Sequence, residues 1–150
     1  MYRVEVFATP MSLPFNFTIH SWIEVTIGDT VTRYDLWGYP GITKKPIAGY
    51  IYQDIFPNHL GTTLSPFARV KDTHKRQVGH VIAEISGAEN SLAAALATAI
   101  TEQVALYPYA NKYRMIMGPN CNTFTAWLLA LVPEAQLKLP WYAWGRNYKF

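Results

Sequence analysis

The only cysteine of the chain, Cys121, lies in GPNCNTFTAWLLALVP, directly after a Gly-Pro-Asn turn and ahead of apolar residues at Phe124, Trp127, Leu128 and Leu131. That spacing predicts an amphipathic helix over residues 123–131 with Cys121 at its opening. A thiol there faces unpaired backbone N–H groups and the positive end of the helix dipole, both of which favour thiolate. The same N–H groups can meet the charge of a tetrahedral intermediate, so the position suits an acyl-transferring nucleophile. Asn120 and Asn122 flank the thiol and suit a polar cleft, as oxyanion or substrate-positioning groups, although Asn120 serves equally as a helix N-cap. The plain alternative is that Cys121 is a small buried apolar residue, since free cysteines are among the most buried side chains.

A nucleophilic thiol needs a base, and the candidate is His20 in HSWIEV, on an early strand. Residues 17–27 and 30–37 are two β-rich runs around Gly28-Asp29, a two-residue hairpin signal. With that turn Glu24 faces Arg33, Trp22 faces Asp35 and His20 faces Trp37. Glu24 and Arg33 become a cross-strand ion pair, and Ile19, Ile23, Val25, Tyr34 and Leu36 form a core stripe on the other face. His20 and Asp35 are diagonal neighbours on one face, so Asp35 is the expected orienter of the imidazole. A three-residue turn would instead bring Tyr34 and Thr32 onto the face of His20, leaving Tyr34 as the alternative third member.

Further elements are needed to hold these residues. Residues 2–8 alternate as a strand, and 50–55 and 78–85 are weaker strand candidates. Asn90 or Ser91 is a plausible cap for a helix running to Leu106 with apolar positions at Leu92, Leu96, Ala99, Ile100 and Leu106, stopped by Tyr107-Pro108. Residues 113–117 read as a short buried strand before the Gly118-Pro119-Asn120 turn. The aromatic tail LPWYAWGRNYKF is expected to drape over the domain, because its rings would otherwise be an aggregation hazard. The loop signals cluster at residues 38–46 and 56–66, and no linker or repeat divides the chain. One α+β domain over residues 1–150 follows, with an antiparallel sheet packed against two main helices.

Composition narrows the function classes. At 150 residues the chain can bury a full core, and with half its residues hydrophobic and 15% charged it is a packed globule. The formal charge of +3 includes one basic run, Lys71, His74, Lys75 and Arg76, interrupted by Asp72. That is a solvated loop rather than the stripe of a nucleic-acid reader. No segment approaches the ~20 apolar residues of a membrane span, and the N-terminus lacks the pattern of a signal peptide. The expected setting is cytoplasmic, or export without a recognisable leader. His59, His74 and His80 show no ligand spacing and there is no second cysteine, so no metal is expected; without a Gly-rich phosphate loop no cofactor is expected either. Glu24 and Glu84 read as isolated carboxylates. The five tryptophans, Trp22, Trp37, Trp127, Trp141 and Trp144, can line an acyl or peptide groove or simply pack the core.

The stretches ALYPYANKYR, GPNCNTFTAW, VPE, LP and GRNY, preceded by HSWIEV and RYDLWG, resemble the bacterial family of domains of unknown function DUF3750, over most of the chain from about His20 to Tyr148. The order of histidine on a strand, a polar residue on the next strand and then Asn-Cys opening a helix resembles the circularly permuted branch of the NlpC-type papain-like superfamily. That second resemblance implies a permuted papain-like architecture and a cysteine hydrolase or acyltransferase. In it Cys121 is the nucleophile, His20 the base and then acid, and Asp35 or Tyr34 the orienter. The expected partner is a peptide, lipid or other acyl substrate, with a protein partner left open. The competing expectation is a non-catalytic binding module on the same scaffold.

Overall fold

The structure, a computed structural model, describes residues 1–11, 13–38, 49–53, 62–64, 76–110 and 112–149. Its strands are β1 (Tyr2–Pro10), β2 (Ile19–Ile27), β3 (Thr30–Gly38), β4 (Gly49–Gln53), β5 (Thr62–Leu64), β6 (Arg76–Val78) and β7 (His80–Gly87). Five of them form one antiparallel sheet in the order β4-β3-β2-β1-β7, while β5 and β6 pair separately. Two α-helices follow, α1 (Leu92–Gln103) and α2 (Cys121–Leu129). The fold is therefore α+β with an antiparallel sheet and two helices.

Side chains alternate between the two sides of a strand, and that alternation sorts the sheet. Val4, Val6 and Ala8 of β1, Ile23 and Val25 of β2, and Tyr34 and Leu36 of β3 join one hydrophobic cluster with Leu96 and Ile100 of α1 and Phe124 and Leu128 of α2. α1 packs on β1 and β7, and α2 on β2 and β3. The intervening residues occupy the other face. There Phe7 and Trp22 stack at 5.5 Å between ring centroids, and Arg33 lies 4.2 Å above the Trp22 ring. Any side chain at Gly79 would collide with that indole, so the backbone of Gly79 packs directly on it.

The hairpin forms with Gly28-Asp29 as its turn. Gly28 takes a φ of +62°, a conformation that costs a residue with a Cβ, and Glu24 stands opposite Arg33. The expected core stripe is buried in full. The ladder, however, is shorter than the register predicts. β2 and β3 pair only from Ile27↔Thr30 to Ile23↔Tyr34; beyond that point β3 continues against β4, and the start of β2 continues against β1. The pairs Trp22–Asp35 and His20–Trp37 are not made.

Several other expectations are corrected. α1 is capped by the Ser91 hydroxyl, which accepts from Ala94 N–H at 3.1 Å, but Leu92 and Leu106 are exposed, and Ala93, Ala94, Leu96, Ala97 and Ile100 face inward. Small alanines let the helix lie close to the sheet, so the buried face is rotated from the one that leucine positions alone suggest. Residues 113–117 are not a buried strand: Tyr113 makes a single bridge, turns follow, and Ile116 and Met117 are exposed. α2 begins at Cys121, two residues before the apolar pattern does, because Asn120 and Thr123 close a capping box. The strand candidate at 50–55 is seen as β4, with its last two residues outside those described. The loop signals around 38–46 and 56–66, the basic run and His59 fall largely outside the described residues. Among the described residues no helix is long and apolar enough to cross a membrane.

Candidate active site

His20 comes from β2, Asp35 from β3 and Cys121 from the first turn of α2. All three are buried, at 3%, 2% and 3% exposure. Nε2 of His20 lies 3.0 Å from Oδ1 of Asp35. His20 also hydrogen-bonds the Cys121 side chain, to which Ser21 donates its backbone N–H. That amide is open to sulfur because β2 has left β3 at this level. The sulfur thus takes an amide that the β2–β3 ladder does not use.

The other oxygen of Asp35, Oδ2, accepts from Nη2 of Arg33 at 2.5 Å. Asp35 therefore bridges an imidazole and a guanidinium. Register alone assigns Arg33 to Glu24, its neighbour across the ladder. Instead Arg33 turns along its own strand, two residues on, and stacks on Trp22. Glu24 is a weak competitor for it. Burial lifts the Glu24 carboxyl to about 7, against the opposing pull of the Trp22 N–H and Arg33, so at neutral pH it carries only part of a charge. The cross-strand ion pair expected from the sequence is not formed.

The electrostatics of the three groups reinforce one another. Burial opposes the charge of His20, but Asp35 first and then Cys121 outweigh it and raise the imidazole to about 10. Burial also opposes the charge of Asp35, yet His20 and Arg33 hold its carboxyl below the usual range. The Cys121 thiol is lowered in spite of its burial, by the neighbouring His20 charge, the His20 hydrogen bond and the Ser21 amide. A buried charge survives only when paired and hydrogen-bonded. Here each charge has a partner, and thiolate beside imidazolium is the state these interactions favour.

The remaining sequence-derived candidates have different surroundings. Tyr34 lies on the helix-packed face, fully buried, with its hydroxyl 3.5 Å from that of Thr101. The third position beside His20 is filled by Asp35. Asn120 caps α2, accepting from Thr123 N–H at 3.1 Å, and gives its two amide hydrogens to the carbonyls of Met115 and Trp144. Asn122 gives both of its hydrogens to the carbonyls of Ile19 and Trp144, and its oxygen accepts from the Ser21 hydroxyl at 2.7 Å. The two amides thus tie the start of α2 to β2 and to the aromatic tail. The tail itself is anchored by Thr18, whose hydroxyl donates to Tyr142 carbonyl and accepts from Trp144 N–H.

Two tyrosines that interact with the thiol carry no mark in the sequence pattern. Tyr113 hydrogen-bonds the Cys121 side chain, and Tyr107 is within electrostatic reach of it. They sit in the segment between the helices, where spacing has no periodic signal. The one hint of them is the density of tyrosines in ALYPYANKYR. No group of three or more His, Cys, Asp or Glu side chains suited to a metal ion occurs among the described residues.

No curated protein and no solved structure matches the chain significantly. A family model does, that of the protein of unknown function DUF3750, over residues 1–148. With nearly the whole length matched, the chain belongs to the DUF3750 family.

Proposed function

We propose that this protein is a cysteine hydrolase or acyltransferase, built on a permuted papain-like scaffold and acting on an amide, ester or thioester through an acyl-Cys121 intermediate. The single observation that carries the reading is the chain Asp35–His20–Cys121, with Nε2 of His20 3.0 Å from Asp35 and the thiol at the N-terminus of α2. In this reading the thiolate attacks a carbonyl carbon, and the imidazolium of His20 gives its proton to the leaving group. Neutral His20 then takes a proton from the water, alcohol or amine that releases the acyl group. Asp35, itself held by Arg33, keeps the ring oriented and stabilises its charge. Peptide, lipid and other acyl donors all satisfy this chemistry.

A second reading, a non-catalytic binding module, is favoured by one fact: the thiol is only 3% exposed. The enzymatic reading requires that a substrate displace part of that cover. Iodoacetamide separates the two. In the folded protein an active thiolate is alkylated with an apparent pKa well below the ~8.5 of a free thiol, and His20→Ala raises that value. Alkylation confined to the denatured chain overturns the enzymatic reading.

A further inference from the structure

A thiolate attack on a carbonyl moves an electron pair onto oxygen, and that oxygen needs hydrogen-bond donors. The asparagine amides beside Cys121 have both of their hydrogens engaged by backbone carbonyls. The third amide of α2, Thr123 N–H, is taken by Asn120. Phenols remain. The backbone brings Tyr113 to the sulfur. Arg114 N–H donates to Pro119 carbonyl at 2.8 Å and Gly118 N–H to Arg114 carbonyl at 3.1 Å. These bonds close the loop between Tyr113 and Cys121, so the two residues stand at the stems of one turn. The Tyr113 side chain hydrogen-bonds the sulfur. The Tyr107 hydroxyl, within electrostatic reach of Cys121, is buried without a hydrogen-bond partner among the described residues, although its ring packs edge-on to Phe124 one turn along α2. A buried unpaired hydroxyl is costly and rare.

We propose that the hydroxyl of Tyr113 donates to the oxyanion of the tetrahedral intermediate formed on Cys121, an inference that rests on the enzymatic reading above. In the resting site its proton is directed at sulfur. As the C–S bond forms and the carbonyl π pair moves to oxygen, the same proton turns to that oxygen. It stays on Tyr113 throughout and returns to sulfur when the C=O bond re-forms and the leaving group departs. Burial, and then the neighbouring Cys121 charge, push both phenols upward, which keeps them protonated at neutral pH.

Two reactions of the same thiol test this assignment. Acylation by p-nitrophenyl acetate, read as the burst of p-nitrophenolate, passes through an oxyanion; alkylation by iodoacetamide does not. At a pH above the thiol transition, Tyr113→Phe is expected to slow acylation by about 10²-fold and not to slow alkylation, because the thiolate loses a hydrogen bond there while no oxyanion needs one. Equal slowing of both reactions, unchanged acylation, or a loss of acylation in Tyr107→Phe but not in Tyr113→Phe overturns the assignment. A wild-type protein inert to both reagents while folded overturns the underlying enzymatic reading instead. Should Tyr113→Phe melt early, 3-fluorotyrosine at position 113 keeps the ring and makes its hydroxyl a stronger donor. Faster acylation is then expected, and an unchanged or lower rate refutes the proposal.

Discussion

At β2 and β3 the two faces of the sheet are both buried, but they are built from different chemistry. Toward the helices, Val4, Val6, Ile23, Val25 and Leu36 meet Leu96, Ile100, Phe124 and Leu128. On the reverse, His20, Trp22, Glu24, Arg33 and Asp35 are at most 3% exposed, and four of the five are ionisable. The first face stabilises by removing apolar area from water, which no single contact decides. The second is held by specific pairs, each of which leaves a costly orphan when broken. Only the second has titratable groups whose charges depend on one another, and it is the face on which His20 and Asp35 meet.

That contrast can be broken by substitution. Ile100→Ala, on the helix-packed face, is expected to have the largest effect on stability, about 4 kcal/mol. Urea unfolding would show it, with the iodoacetamide pKa of the folded protein unchanged. Arg33→Met should cost about 3 kcal/mol, because Asp35 loses its guanidinium, and the double variant Arg33→Met with Asp35→Asn should recover part of that loss. A double variant as unstable as the sum of the singles would show that the two faces obey the same rules after all.

Asn122→Ala is expected to cost about 2 kcal/mol, since two carbonyls and the Ser21 hydroxyl lose a buried partner. Amide hydrogen exchange should rise around Trp144, where the tail is tied down, more than in α1.

The mildest change is Glu24→Gln, and its sign depends on pH. The folded carboxyl stands near 7, above its ordinary value of 4.5, so the native state binds the extra proton. This contributes stability that is present below pH 4.5 and is lost as pH rises toward 7. A glutamine amide in its place has no such proton to lose. The variant should match the wild type in acid and exceed it above pH 7, measured by chemical denaturation across the range. His20 follows the same direction over a higher window: its stabilisation is complete below 6.5 and fades as pH rises through about 10. Asp35, depressed when folded, contributes above 3.8 and is lost in acid. In the enzymatic reading, activity should therefore decline on the alkaline side as the imidazolium deprotonates.

Much of this was legible in the residues themselves. The Gly28-Asp29 turn and the period of two placed His20 and Asp35 on one face and the aliphatic stripe on the other, because register follows from turn length. The Asn-Cys step after a Gly-Pro-Asn turn placed Cys121 at a helix start. The partner of Arg33 was not legible. Cross-strand order favours Glu24, and only burial, by weakening the Glu24 charge, leaves Arg33 to Asp35. The roles of Asn120 and Asn122 were equally hidden, since an amide suits a cleft and a capped helix alike until the carbonyls facing it are known.

Local patterning by itself determined the main strands, the turn, the two helices and the face on which each reactive side chain lies, because these depend on alternation and neighbours in the chain. Tertiary structure alone decided that β2 parts from β3 beyond Tyr34, that the Cys121 sulfur takes the Ser21 amide there, and that Tyr113 from an irregular segment reaches the sulfur. Those outcomes depend on which buried polar groups find partners across a hundred residues of chain, and no local spacing encodes them.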